Sequence, residues 1–251
     1  GMFKSVYDYP FLSSSANHLF DVSWGYISSS NLHMHTELQG STVTSSVTNQ
    51  ASKKRNLYSQ MAQVLVGYDT ESEIRPFDFD GNHAAGSKIG TAVFINFSRL
   101  LVKDEIKKGS FSMTIGTHNT YTTQFNSTTL LSDHGAADSY LINSPAGEYG
   151  LLYTGSSTVP GDPRGLIFYQ AGVVVITSSV FDDMAAENAQ HPGISPAGTH
   201  GHYFLSGSPQ DGEPHVRSVS GAFTGSVISA SCDALRARIY DISFNNTTEI
   251  N

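Results

Sequence analysis

The chain has 251 residues and a formal charge of -8, from 22 acidic against 14 basic side chains. That length can bury a substantial core, and the acidic balance excludes a surface built to track nucleic-acid phosphates, which needs clustered Lys and Arg. The single cysteine, Cys232, excludes an intrachain disulfide framework, and no apolar run reaches the ~20 residues of a membrane span.

Charged residues make up only 14% of the chain, while Ser, Thr, Gly, Asn and aromatic residues are abundant. This is the profile of short strands joined by tight turns. The composition predicts a mainly β protein: one antiparallel, sandwich-like domain over 1–251, with one or two short α-helices. Gly1 ahead of Met2 reads as a remnant of an expression tag.

The first strand predicted is "DVSWGYI", 21–27, whose alternation puts Val22, Trp24 and Tyr26 on one face, with Trp24 in or beside the core. Next, "NLHMHTEL" carries His33 and His35. In "KKRNLYSQMAQVLVG" the apolar Leu57, Met61, Val64 and Leu65 recur at helical spacing, with Ser52 as N-cap and Gly67 as the stop, so a helix is expected over 53–66. Its basic "KKR", 53–55, reads as a solvated helix start. The segment "RPFDFDGNHAAG" sets Asp78, Asp80 and Asn82 at alternate positions, a faint likeness to a calcium loop. It lacks the closing bidentate Glu, so an edge strand ending in an Asp80-Gly81 turn is expected instead.

Further strands are predicted at 91–97, 110–116, 139–143 and 148–155, followed by a long loop at 156–164. "GLIFYQ" and "GVVVIT", 165–170 and 172–177, are apolar nearly throughout, as for paired central strands covered on both faces. Asp182 and Asp183 are adjacent, so on a strand they would face opposite ways and cannot flank one scissile bond. A second long loop, 186–215, carries "THGHY". In an extended strand His200 and His202 would share a face, and two imidazoles leave a metal site open. The missing ligands would come from His33, His35 or His215, or from symmetry copies in a trimer. The preferred reading of His200 and His202 is solvated loop histidines, with no metal and no cofactor. In "GSVISASCDALRARI", 225–239, Ile228, Cys232, Leu235 and Ile239 fall at helical spacing while "SVISASC" also alternates like a strand; a short helix is preferred, with a strand at 237–244. The ending "NNTTEIN" stops within a polar segment, which predicts a natural chain that continues.

Nucleophile elbows, phosphate loops, H-E-x-x-H, C-x-x-C and dinucleotide fingerprints are all missing from the sequence, and no enzyme is expected. Four blocks, "RNLYSQMAQVLVG" (55–67), "FINFSRLLVKDEIKKGSFSMTIG" (94–116), "GLIFYQAGVVVIT" (165–177) and "RIYDISFNNTTEIN" (238–251), are similar to virion structural proteins of contractile-tailed marine bacteriophages of the cyanophage type. The resemblance covers about half the chain. It implies a virion location, a non-catalytic role in the tail, baseplate or fibre-attachment region, and other phage structural subunits as partners. A homo-oligomer, the trimer included, follows from the same likeness, and phage trimers that clamp iron with H-x-H pairs give His200 and His202 a context. It carries over no catalytic residue. Two other classes compete: a host-surface glycan adhesin using Tyr153, Tyr169 and Tyr203, and a tail-associated hydrolase.

Overall fold

The structure, a computed structural model, describes residues 2–8, 16–27, 45–83, 87–117, 124–156, 159–178, 180, 203–205, 216–218, 232 and 235–247. Its strands are β1 (Phe3–Asp8), β2 (Asn17–Tyr26), β3 (Thr91–Phe97), β4 (Glu105–Ile106), β5 (Ser112–Gly116), β6 (Thr128–Ser132), β7 (Tyr149–Ser156), β8 (Val159–Phe168), β9 (Val173–Thr177), β10 (Tyr203–Leu205), β11 (Val216–Ser218), β12 (Ile239–Ser243) and β13 (Asn246–Thr247). The helices with both ends described are α1 (Ser45–Leu65), α2 (Arg99–Val102) and α3 (Ala136–Ser139).

Nine strands form one antiparallel sheet in the order β1-β2-β3-β9-β8-β7-β6-β5-β12. The protein is mainly β and broadly sandwich-like, as the composition predicts. Alternation explains how one sheet makes two cores. On β3 the side chains of Val93, Ile95 and Phe97 join one buried cluster, while Ala92 and Phe94 join a second. On β9, Val174 and Ile176 go to the first and Val173 and Val175 to the second. The near-continuous apolar runs of the central strands therefore cover both faces, each large side chain contributing ~1.5–3 kcal/mol.

The first cluster also takes Met113 and Ile115 from β5 and Leu131 from β6. A small apolar gap is lined by Val22, Val93 and Ile95 from one limb and by Met113, Ile115 and Ile239 from the other. The sheet thus curls until its two limbs face each other. Trp24 is fully buried in this cluster beside Val22 and Tyr26, the face that the alternation assigns. The second cluster is covered by α1, through Tyr58, Ala62 and Leu65, and by the chain that follows, through Val66, Phe77 and Ile89.

The predicted hairpin at 165–177 is the β8–β9 pair, registered Leu166 against Val175 and Phe168 against Val173. Several boundaries differ. α1 begins at Ser45, so Ser52 is interior to it and not its cap. The expected loop at 156–164 is instead the paired ends of β7 and β8, where register shifts beside Tyr153 accommodate Pro160 and Pro163, which lack an N–H. The strand expected at 139–143 contributes one bridge, Leu141 to Tyr149, because α3 precedes it. Within 225–239, Cys232, Leu235 and Arg236 are helical before β12 begins. Most of the 186–215 loop lies outside the described residues, apart from β10, which pairs with β11.

Candidate functional site

Polar side chains concentrate where the 77–83 segment lies against β7. Asp78 is buried, and its carboxylate accepts from Lys88 Nζ at 2.7 Å. Asp80 folds onto its own turn: its Oδ1 accepts from Asn82 N at 3.2 Å and its Oδ2 from Asn82 Nδ2 at 2.5 Å. Gly81, at φ 69°, makes the turn in a region that L side chains rarely enter. The three residues with a calcium-like spacing are therefore engaged in an ion pair and an Asx turn, and do not converge on one point. Among the described residues no group of three His, Cys, Asp or Glu side chains could hold a metal.

Tyr149, the first residue of β7, is fully buried beneath this turn. Its hydroxyl oxygen lies 2.6 Å from Asn143 Oδ1, 2.8 Å from the Gly81 carbonyl and 3.3 Å from His83 Nε2. Asn143 Nδ2 donates to the Gly81 carbonyl at 3.0 Å. With that carbonyl already served, the single phenol proton goes to Asn143 Oδ1, its shorter contact. The phenol oxygen is then the acceptor for His83, whose Nε2 must carry the proton. Nδ1 of the same ring is left as a bare lone pair, buried and without a hydrogen-bond partner. Burial pushes the Tyr149 phenol up to about 12, so it stays protonated and donates. Burial, with the Arg75 charge next, holds the His83 imidazole below its usual value and therefore neutral.

A second buried set lies on the other face. Asp133 accepts from the backbone N–H of Gly109 at 2.8 Å and of Phe111 at 2.9 Å, and from the Tyr169 hydroxyl at 3.0 Å. Burial raises the Asp133 carboxyl while these donors oppose the rise. Tyr169 is fully buried, its phenol pushed far up by burial, so it offers no ring to a sugar. Lys108 closes this set, 2.5 Å from Glu148, 3.5 Å from Glu105 and 4.9 Å from the Tyr140 ring. Tyr153 is half-buried, its ring 5.3 Å from that of His134.

His33, His35, His200, His202 and His215 lie outside the described residues, as do Asp182 and Asp183; only the backbone pairing of Tyr203 is described. Sequence reasoning missed Tyr149, Asn143, His83 and Asp133, because their partners stand many residues away. The signal within reach was "DFDGNH", whose turn chemistry announces a fixed segment though not its anchor. No protein-family model, curated protein or solved structure matches the chain.

Proposed function

We propose that the chain is a non-catalytic structural subunit of a bacteriophage virion, built into the tail, baseplate or fibre-attachment region and acting through contacts with neighbouring subunits. The observation that carries the reading is the pair of open sheet edges. Among the described residues no strand pairs with the outer side of β1 or of β12. β1 exposes Phe3 and Tyr7, and β12 exposes Tyr240, 67% accessible, with its ring 5.2 Å from that of Phe125. Unpaired backbone beside exposed aromatic rings favours a protein neighbour over water. The buried hydroxyls and carboxylate described above bond within the fold, which agrees with work done at the surface. A closed ring of identical copies, the trimer included, would use these edges symmetrically.

Sedimentation velocity on the purified chain tests the edge contacts. The wild type should sediment as an oligomer at micromolar concentration, and the double variant Tyr7→Lys, Tyr240→Lys as a monomer with an unchanged far-ultraviolet spectrum. A wild type that stays monomeric contradicts assembly through these edges. Adhesion to a host-surface glycan is a second reading, favoured by the same Phe125–Tyr240 ring pair, on which a sugar face could stack; glycan-array binding lost in Tyr240→Ala would support it.

A further inference from the structure

We propose that His83 is a pH-responsive catch that ties the 77–83 segment to β7 when neutral and releases it on protonation. The tie is built from three contacts that converge on Tyr149 and Gly81: His83 Nε2 at 3.3 Å from the phenol oxygen, Asn143 Nδ2 at 3.0 Å from the Gly81 carbonyl, and the phenol proton on Asn143 Oδ1. Only the first titrates near neutrality.

Protonation adds a proton and a charge to a ring whose Nδ1 is buried and makes no hydrogen bond when neutral. Burial disfavours that charge and outweighs the backbone hydrogen bond with Asn143, which favours it. The new charge also faces Arg75 and Lys88, both cations, and Asp78. Asp78 is already paired with Lys88, and Asp80, on the same segment, is bonded to Asn82. Asn143 and the phenol of Tyr149 are neutral partners and offer the imidazolium no counter-charge. The ring relieves all of this by swinging out, which it can do because His83 is only half-buried. Its φ of 60°, unusual for a residue with a Cβ, is a second strain that release removes. Burial and the cationic neighbours lower the imidazole in the tied state, so the tie has full strength above the ordinary histidine value. That strength is lost as pH falls from the ordinary value through the lowered one. None of this depends on the assembly reading.

Amide hydrogen exchange, corrected for its intrinsic pH dependence, tests the catch directly. Between pH 8 and pH 5 the protection of 77–83 should fall by about tenfold for each unit by which the tied imidazole lies below the ordinary value, while β9 keeps its protection. In His83→Asn, which tolerates the positive φ and does not titrate, the 77–83 protection should no longer depend on pH. An NMR titration of the wild-type His83 ring supplies a check that needs no variant, since its midpoint should lie below the ordinary histidine value and mark the pH at which the fall in protection levels off. Persistence of the fall in His83→Asn, its absence from the wild type, or a ring midpoint at or above the ordinary histidine value would each overturn the proposal.

Discussion

Lys54, on α1, is fully buried, and burial lowers its ammonium to about 8, with Cys232 opposing the change. A cation whose value is depressed in the fold adds stability that is complete above its ordinary value, 10.5, and is lost as pH falls through about 8. At neutral pH the fold therefore holds a buried ammonium. Lys54→Met should flatten the rise that the wild type shows between pH 8 and 10.5, as urea titrations across that range measure. Asp133→Ala should cost ~2–4 kcal/mol in the same assay, because it strands the N–H groups of Gly109 and Phe111 and the Tyr169 hydroxyl. At this scale the sequence was legible where a local pattern sufficed. Trp24 could be placed in the core because Val22 and Tyr26 flank it at strand spacing. Asp133 could not, because its donors stand 22, 24 and 36 residues away.

The helix α1 shows what periodicity can and cannot decide. The apolar stripe Leu57, Met61, Val64 and Leu65 correctly announces a helix that ends near Gly67, yet among the described side chains of 53–65 those fully buried are Lys54, Tyr58, Ala62 and Leu65, with Val64 66% exposed. The buried face is rotated by about one residue, for reasons that lie in its partners. Tyr58 donates its hydroxyl proton to the Ile89 carbonyl at 2.7 Å and accepts the Phe77 N–H at 3.1 Å, bonds that a scale of hydrophobicity does not contain. The helix also sits against Gly25 of β2, where an added Cβ would stand 2.7 Å from the Lys54 carbonyl and 2.9 Å from the Tyr58 nitrogen. Gly25→Ala should therefore push α1 off the sheet and destabilise the protein by ~2–4 kcal/mol, read from chemical denaturation. Tyr58→Phe should cost a smaller ~1–2 kcal/mol by leaving the Phe77 N–H and the Ile89 carbonyl unbonded. The β8–β9 hairpin was legible because both strands are buried on both faces. The paired ends of β7 and β8 were not, because Gly161 and the two prolines mimic a loop, while the register shifts that absorb them leave no mark in the sequence.

At the scale of the whole molecule, the mainly β class follows from composition, but the curl of the nine-stranded sheet does not. It depends on residues far apart in the chain, such as Val22 and Ile239, lining one apolar gap. Among the described residues the sheet bends without pairing its first strand to its last, which leaves two edges. Both edges carry exposed aromatic side chains, the feature on which the assembly reading rests. Quantitative mass spectrometry of purified phage particles that encode this chain tests the central claim most directly. The account predicts the chain at a copy number comparable with tail and baseplate proteins, retained through a high-salt wash. Particles that lack it while infected cells contain it would contradict the account.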